Sequence, residues 1–522
     1  MLTTIAELRE DELRAGLERL SESGLIFATG VEGEPAYSFN HALVQEAAYE
    51  SLSRSRRQAL HAKIARALEA ALATDGEGGL TVIAHHYGRA GEPEKSFEFW
   101  LRAADRASQR LAFVEAVADL GAALGQAERI GDPGRRSRRQ LDAQLALGAT
   151  LAHQKGAESS EVEPALQEAY RLAKEVNAGA QLFQATWGLY VNAARNRQFD
   201  KAKRRGDELL AISEELGDED LKFEALHHRW GYAYFTGDIA NTLAYSERGI
   251  QRYETARHHR FSYTYAGHDP GVCAQCVHAL VLGVAGDAAK IKPELETALA
   301  LSERLQHPLT LVFARSIVCH ALYFTRDLDA SEAAAGRLVQ DATKYDLPAM
   351  QAIGTFWLGA TQAMRGDPVA GLRRMEPAFQ PTHGIGFFGS LPGMVMADTL
   401  ARAGREREAL ALIARLHGEM SDPEMGIFVS ELWRIRGELT ARMRGGDAAE
   451  AERSLQTALR IARAQEATLL QSRAGISLAR LLAERGRREE ARNALAETGV
   501  ESLPDREAPE IAAAKGLSAE LS

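Results

Sequence analysis

Small and apolar residues recur along most of this chain at the spacing of one helix face. Ala448, Ala451, Leu455, Ala458 and Ala462 fall alternately three and four apart, which places them on a single stripe of a helix. A second stripe follows on Leu478, Ala479, Leu481 and Leu482. Gly486 then breaks the run, and Ala491 and Leu495 open a third. The stretch Trp433–Leu495 therefore predicts amphipathic helices joined by tight turns, with small side chains where the helices cross.

The same unit recurs upstream. Tyr87, Gly91, Ser96, Trp100 and Ala103 carry an aromatic residue, a turn glycine, a small crossing residue and a second large residue in order. Leu400, Gly404, Ala409 and Ile413 repeat it, as do Leu482, Gly486, Ala491 and Leu495. Weaker copies lie at Trp230–Gly237, Leu280–Gly286, Leu322–Ala330 and Leu358–Gly366, with turns reading AGEP, TGDI, AGDA, RGDP, AGRE and RGGD. This is tetratricopeptide (TPR) spacing, at about 34 to 45 residues per unit and on the order of ten helix pairs. The expected fold is an all-α, TPR-like α-solenoid, a superhelix of antiparallel helix pairs with a concave face.

The first 42 residues read differently. DELRAGLERLS (11–21) predicts a short helix, and LIFATG (25–30) and AYSFNH (36–41) predict two strands around VEGEP. A helix followed by a two-stranded wing is the closing half of a winged helix. The expected organisation is a winged-helix remnant over 1–42, linking helices over 43–77, the repeat array over 78–500 and a tail over 501–522.

Composition narrows the class. At 522 residues the chain exceeds one compact core, which a repeat array accommodates. No stretch of 18 or more apolar residues is free of charge, and the N-terminus is charged and amphipathic, unlike a signal peptide. Cys273, Cys276 and Cys319 are too few for a disulfide framework and suit a reducing cytoplasm, the expected location. A net charge of −10 argues against nucleic acid as a partner of the whole chain.

Several separate motifs carry a family resemblance. Phe39, His41, Leu43, Val44, Ala48, Tyr49, Leu52, Arg56, Arg57, Leu60, His61, Ile64 and Ala65 form the first. IAHHYGRAGEPEKSFEFWLRAADRA (83–107), RRQLDAQLALGATL (138–151), GHDPGV (267–272) and ELWRIRGEL (431–439) follow. In this order they resemble the winged-helix and TPR region of bacterial STAND-type predicted ATPases, many fused to class III adenylate/guanylate cyclase domains. The phosphate loop and cyclase domain that such proteins carry upstream are not in this sequence. The resemblance implies structural or interdomain contacts for His41, Arg56, Arg57 and His61.

Other candidate chemistry is sparse. GIGFFG (384–389) fits a dinucleotide fingerprint, but no strand precedes it. Cys273 and Cys276 make one C-x-x-C inside a predicted helix, where such residues read as core; one pair is half a zinc site, and no metal or cofactor is expected. His85–His86, His227–His228 and His258–His259 are adjacent pairs that point about 100° apart on a helix and do not chelate together. The basic runs RSRRQALHAKIAR (54–66) and RRSRR (135–139) read as solvated helix faces. No nucleophile–base set suggests an enzyme. The irregular stretch Tyr253–Gly271 is rich in Tyr, His and Arg. It places Tyr253, His258, His259, Arg260, Tyr263, Tyr265, His268 and Asp269 as the candidate contact for a protein or peptide on the concave face.

The expected function is therefore non-catalytic: a TPR sensor or interaction region regulating an upstream nucleotide-binding module in cis, without membrane contact. The alternatives are a stand-alone adaptor, and a protein related to cyclases by descent that lacks the catalytic domain.

Overall fold

The structure, a computed structural model, describes residues 5–6, 8–29, 36–75, 79–265, 267–379, 391–418, 422, 424–443, 447–503 and 508–522. The chain is an all-α, TPR-like solenoid with one small hairpin. It divides into two compact units, residues 1–154 with 167–178, and residues 155–166 with 179–522.

In the first unit, helix Glu10–Glu22 precedes strands Ile26–Ala28 and Tyr37–Phe39, which pair antiparallel with Phe27 opposite Ser38. Ile26 is buried in this hairpin, whereas Leu20, Leu25, Phe27, Phe39 and Leu43 are exposed. Helices Ala42–Glu50 and Arg54–Asp75 lead into Leu80–Ala90 and Pro93–Gln109. Ser96 sits at the crossing of that last pair and donates to Ala84 O at 2.7 Å, as expected of a small crossing residue.

In the second unit the first helices of successive pairs are Gly179–Arg195, Glu219–Thr236, Pro270–Ala285, Pro308–Thr325, Pro348–Met364, Leu391–Arg402, Val429–Arg442 and Thr468–Glu484. Each is followed by an antiparallel partner, and Pro509–Leu521 ends the chain. The turns within the pairs sit at a left-handed residue: Arg197, Gly237, Gly286, Arg326, Gly366, Gly404 and Gly486. Steps between neighbouring turns are about 40 residues, longer than the 34 of the TPR consensus. The step from Gly237 to Gly286 is about nine residues longer than the others. That excess is the irregular stretch flagged in the sequence.

Small residues set how closely helices approach. A Cβ on Gly359 would stand 2.7 Å from Gly371 O, and one on Gly371 would stand 2.6 Å from Gly359 O, so these two helices cross with backbones in contact. Ala451, Leu455, Ala458 and Ala462 are buried as their spacing predicts, while Ala448 is exposed in the first turn of its helix. Pro308–Thr325 is apolar enough to cross a membrane by length and composition, but it is a largely buried core helix whose Arg315 pairs with Glu303 and Asp341.

Late repeats pack on the turns of early ones. Gln465 Nε2 donates to Gly426 O at 3.0 Å, and a Cβ on Gly237 would collide with the same amide. Phe324 stacks on Phe428 with ring centroids 6.0 Å apart. Leu503 lies against Gly286, and Arg326 donates to Glu510 at 3.1 Å. A core cluster running from Phe223 to Ala508 results.

This packing buries histidines in neutral form. Burial lowers His228 to about 4, His320 to about 3 and His417 to about 4. The unfolded chain binds their protons near pH 6.5, before the folded one does, so stability is full above that pH and is lost as pH falls toward 4. We expect the melting temperature to decline over this window, and His320→Gln to flatten the decline; a pH series by calorimetry checks both.

Candidate functional site

The long step between Gly237 and Gly286 is built around one carboxylate. Asp269 is fully buried, and its Oδ1 accepts from the backbone N–H groups of Gly271 and Val272 at 2.9 and 3.0 Å, capping helix Pro270–Ala285. Its Oδ2 accepts from Tyr253 Oη at 2.8 Å and from His259 Nδ1 at 2.9 Å. Its own N–H donates to Thr310 Oγ1 at 2.9 Å. Burial, followed by the nearby carboxylate, pushes the Tyr253 hydroxyl well above its usual range. The short helices Thr255–His258 and Phe261–Thr264 close the segment. Arg257 and Arg260 donate to the two oxygens of Asp220 at 2.5 and 2.7 Å, and His258 stacks on Phe223 at 4.0 Å.

The structure thus brings together Tyr253, His259 and Asp269. It places His258 and His268 in the interior, with Tyr265 against Phe183, Trp187 and Phe261. Tyr263, at 67% exposure, and the exposed side chain of Arg260 are the members of the set that face solvent.

Three further groups meet on the inner side of this segment. His227, His268 and Cys273 are all buried, and one ligand-capable atom from each lies within 4.8 Å of the others. His227 packs between Trp187 and Trp230 with centroids 4.9 and 4.7 Å away, and its Nδ1 is 3.0 Å from Glu224 Oε1. Burial pulls the His227 imidazole down, but Glu224 and Cys273 outweigh it and hold the imidazole above its ordinary value. In the sequence Cys273 read as half of a zinc pair and His268 as a partner-contact candidate, whereas His227 was associated with neither. The signal was the repeat register: Gly237 and Gly286 are equivalent turns, so the helices carrying His227 and Cys273 are neighbours. Cys276 and Cys319 are also buried, and burial raises both thiols.

A second polar region lies farther along the same unit. A cavity of about 500 Å3 is lined mainly by the first helices Leu391–Arg402, Val429–Arg442 and Thr468–Glu484, with Tyr323, Met364 and the start of Pro509–Leu521. Its wall holds Arg326, Arg402, Arg434, Arg473 and Arg480 beside Asp398, Glu431, Glu438 and Glu510. Arg434 grips Glu431 bidentately at 2.9 and 2.8 Å and reaches Glu438 at 2.6 Å. Arg473 bonds Glu510 at 2.9 Å and lies 3.5 Å from Glu431. Ser477 donates to Glu438 at 2.6 Å. Burial opposes ionisation of Glu431, Glu438 and Glu510, yet the arginines win and keep all three below the usual carboxylate range. Arg480 is exposed at the rim. The wall thus combines paired charges with the apolar side chains of Val395, Ile435 and Ile476.

Of the residues flagged near the N-terminus, His61 is held through Nε2 to Tyr49 Oη at 3.0 Å and through Nδ1 to His86 Nδ1 at 2.8 Å. Burial, then the neighbouring His86, His85 and Arg89, lower its pKa. The Arg57 guanidinium stands 5.1 Å over the Tyr49 ring. His41 precedes helix Ala42–Glu50 and is exposed, as is Arg56. In the basic run 135–139, Arg135 pairs with Glu94 at 3.1 Å. The fingerprint-like segment 384–389 lies outside the described residues.

No family model matches the chain. The chain is 23% identical over 482 residues to an uncharacterised protein of Rhizobium meliloti (strain 1021), an alignment covering 91% of this chain and 46% of that protein. It thus spans about half the length of the curated relative it matches. Among solved structures it is similar to a Rap protein complexed with competence and sporulation factor, at 12% identity and TM-score 0.42, over 82% of this chain and 99% of that one. It is similar to the Cut9–Hcn1 hetero-tetramer of the APC/C, at 13% and 0.42, over 92% and 99%. It is also similar to a STAND protein with a tetratricopeptide repeat sensor from Pyrococcus horikoshii, at 12% and 0.36, over 100% and 62%.

The ion row makes a stability prediction. Glu431 is 2% exposed, so Glu431→Gln removes one of the two carboxylates holding each of Arg434 and Arg473 and leaves the buried network one negative charge short; the expected loss is about 3–5 kcal/mol. Arg480→Ala at the rim is expected to cost less than about 0.5 kcal/mol. Urea unfolding of the two variants beside the parent chain measures the contrast.

Proposed function

We propose that this chain is a non-catalytic, partner-binding repeat region, and that its binding face is the one carried by the first helices. The observation that carries this reading is the arginine-edged cavity. Five arginines and four carboxylates line it together with apolar side chains, a surface suited to a peptide segment that offers a carboxylate next to a large apolar side chain. Most of the buried charges pair with one another, which fixes the shape of the cavity, while Arg480 at its rim is positioned to meet a ligand anion. The solvent-facing Tyr263 and Arg260 form a second, separate contact for a partner.

The finer reading concerns regulation. The exposed Leu20, Leu25, Phe27, Phe39 and Leu43 around the hairpin are suited to contact with a further protein element. The relative from Rhizobium meliloti is about twice as long as this chain. Together with the motifs over residues 39–65, these observations support a winged-helix element through which the repeats bias a nucleotide-binding module of the STAND ATPase or cyclase type. A ligand shifts such a module by binding one of its states more tightly than the other.

A fluorescence-polarisation screen of peptides ending in a large apolar residue with a free carboxylate tests the binding reading. We expect micromolar binders that lose about tenfold in affinity in Arg480→Ala and more in an Arg402→Ala/Arg480→Ala double variant, consistent with loss of a charge-assisted hydrogen bond. Binders unaffected by both changes contradict the assignment. The purified chain is expected to form no cyclic AMP from ATP with magnesium or manganese; turnover sensitive to substitutions in this chain contradicts the non-catalytic reading.

A further inference from the structure

We infer that His227, His268 and Cys273 form a zinc site that ties the irregular segment to two neighbouring first helices. Three observations converge on it. One ligand-capable atom from each residue lies within 4.8 Å of the other two, a separation compatible with a shared ion, and all three side chains are buried. They come from different parts of the fold: helix Glu219–Thr236, the end of the irregular segment, and the first turn of helix Pro270–Ala285.

Second, the ring nitrogens are sorted for ligation. Glu224 accepts from His227 Nδ1 at 3.0 Å, so Nε2, once it gives up its proton, is the nitrogen of that ring left to ligate. A carboxylate that orients a histidine in this way is the usual support of a metal-bound imidazole. Trp187 and Trp230 fix the plane of His227, and Phe313 stacks on His268 at 3.9 Å and 8°. Cys273 is placed by its backbone N–H, which donates to Asp269 O at 2.9 Å.

Third, one buried carboxylate oxygen beside the cluster is left open. Glu224 is 1% exposed, and its Oε2 has no hydrogen-bond partner among the described residues. A divalent ion held by one thiolate and two neutral imidazoles, with this carboxylate behind His227, brings the group to neutrality. Binding releases two protons to solvent, one from the Cys273 thiol and one from the His227 imidazolium, and leaves the fourth tetrahedral position for water. The mixed nitrogen and sulfur donor set favours zinc over the hard cations magnesium and calcium.

The test uses the full chain, purified without a polyhistidine tag. Zinc is assayed after growth in zinc-replete medium, and the chelator-treated protein is titrated with cobalt(II) as a spectroscopic probe. The expected result is about one zinc per chain, since one such ligand set is present among the described residues, and a thiolate-to-cobalt charge-transfer band. Cys273→Ser abolishes that band, while Cys276→Ser and Cys319→Ser keep it. Glu224→Gln keeps all three ligands and weakens cobalt binding by about 10- to 100-fold. His268→Gln, checked for helix content by circular dichroism, supplies an independent ligand variant if Cys273→Ser fails to fold. Failure of the parent chain to take up stoichiometric zinc or cobalt overturns the proposal without reference to any variant. So does a charge-transfer band that survives Cys273→Ser.

Discussion

The irregular segment of the second unit depends on the buried carboxylate of Asp269. A solenoid built from helix pairs tolerates an extra segment between two pairs only if that segment satisfies its own backbone and does not unseat the next helix. Asp269 meets both conditions. One oxygen caps Pro270–Ala285, and the other holds Tyr253 and His259 at the opposite end of the segment. A charge this deeply buried is tolerable because four donors converge on it. Its position in the chain sets His268 on one side and Cys273 one turn onward, so both reach the helix that carries His227.

The same logic of fully engaged buried charge recurs around the cavity, with a different outcome. Glu431, Glu510, Arg434 and Arg473 neutralise one another across helices far apart in sequence, and the Arg326–Glu510 contact joins the end of the array to its middle. Replacing such a network with apolar residues often preserves or increases stability. The role proposed for it beyond stability is to hold guanidinium groups in place around the cavity for a ligand.

Much of this was legible in the sequence, and the remainder was hidden for physical reasons. Gly91, Gly237, Gly286, Gly366, Gly404 and Gly486 mark turns because a left-handed backbone excludes most side chains, and that constraint acts locally. The stripe Ala451, Leu455, Ala458 and Ala462 follows from helix period alone. The irregular segment around Tyr253–Gly271 also announced itself by composition. Its interior was less legible, since nothing local distinguishes His258, stacked on Phe223, from the solvent-facing Tyr263. Contacts that join distant repeats left no local trace. Arg326 and Glu510 are 184 positions apart, and their pairing depends on how far each repeat rotates. His227 and Cys273 meet because their helices precede equivalent turns, but the extra segment between those helices lengthens the step, so an alignment to a fixed repeat length separates them.

The most direct test of this account is hydrogen exchange by mass spectrometry on Asp269→Asn. The substitution keeps an oxygen able to cap Pro270–Ala285 but replaces the acceptor facing Tyr253 and His259 with a donor. The account predicts that residues 253–268 lose protection together while helices in the repeats after Thr325 exchange as in the parent chain. Unchanged protection across 253–268 would show that the segment is held by something other than this carboxylate, and would contradict the central claim.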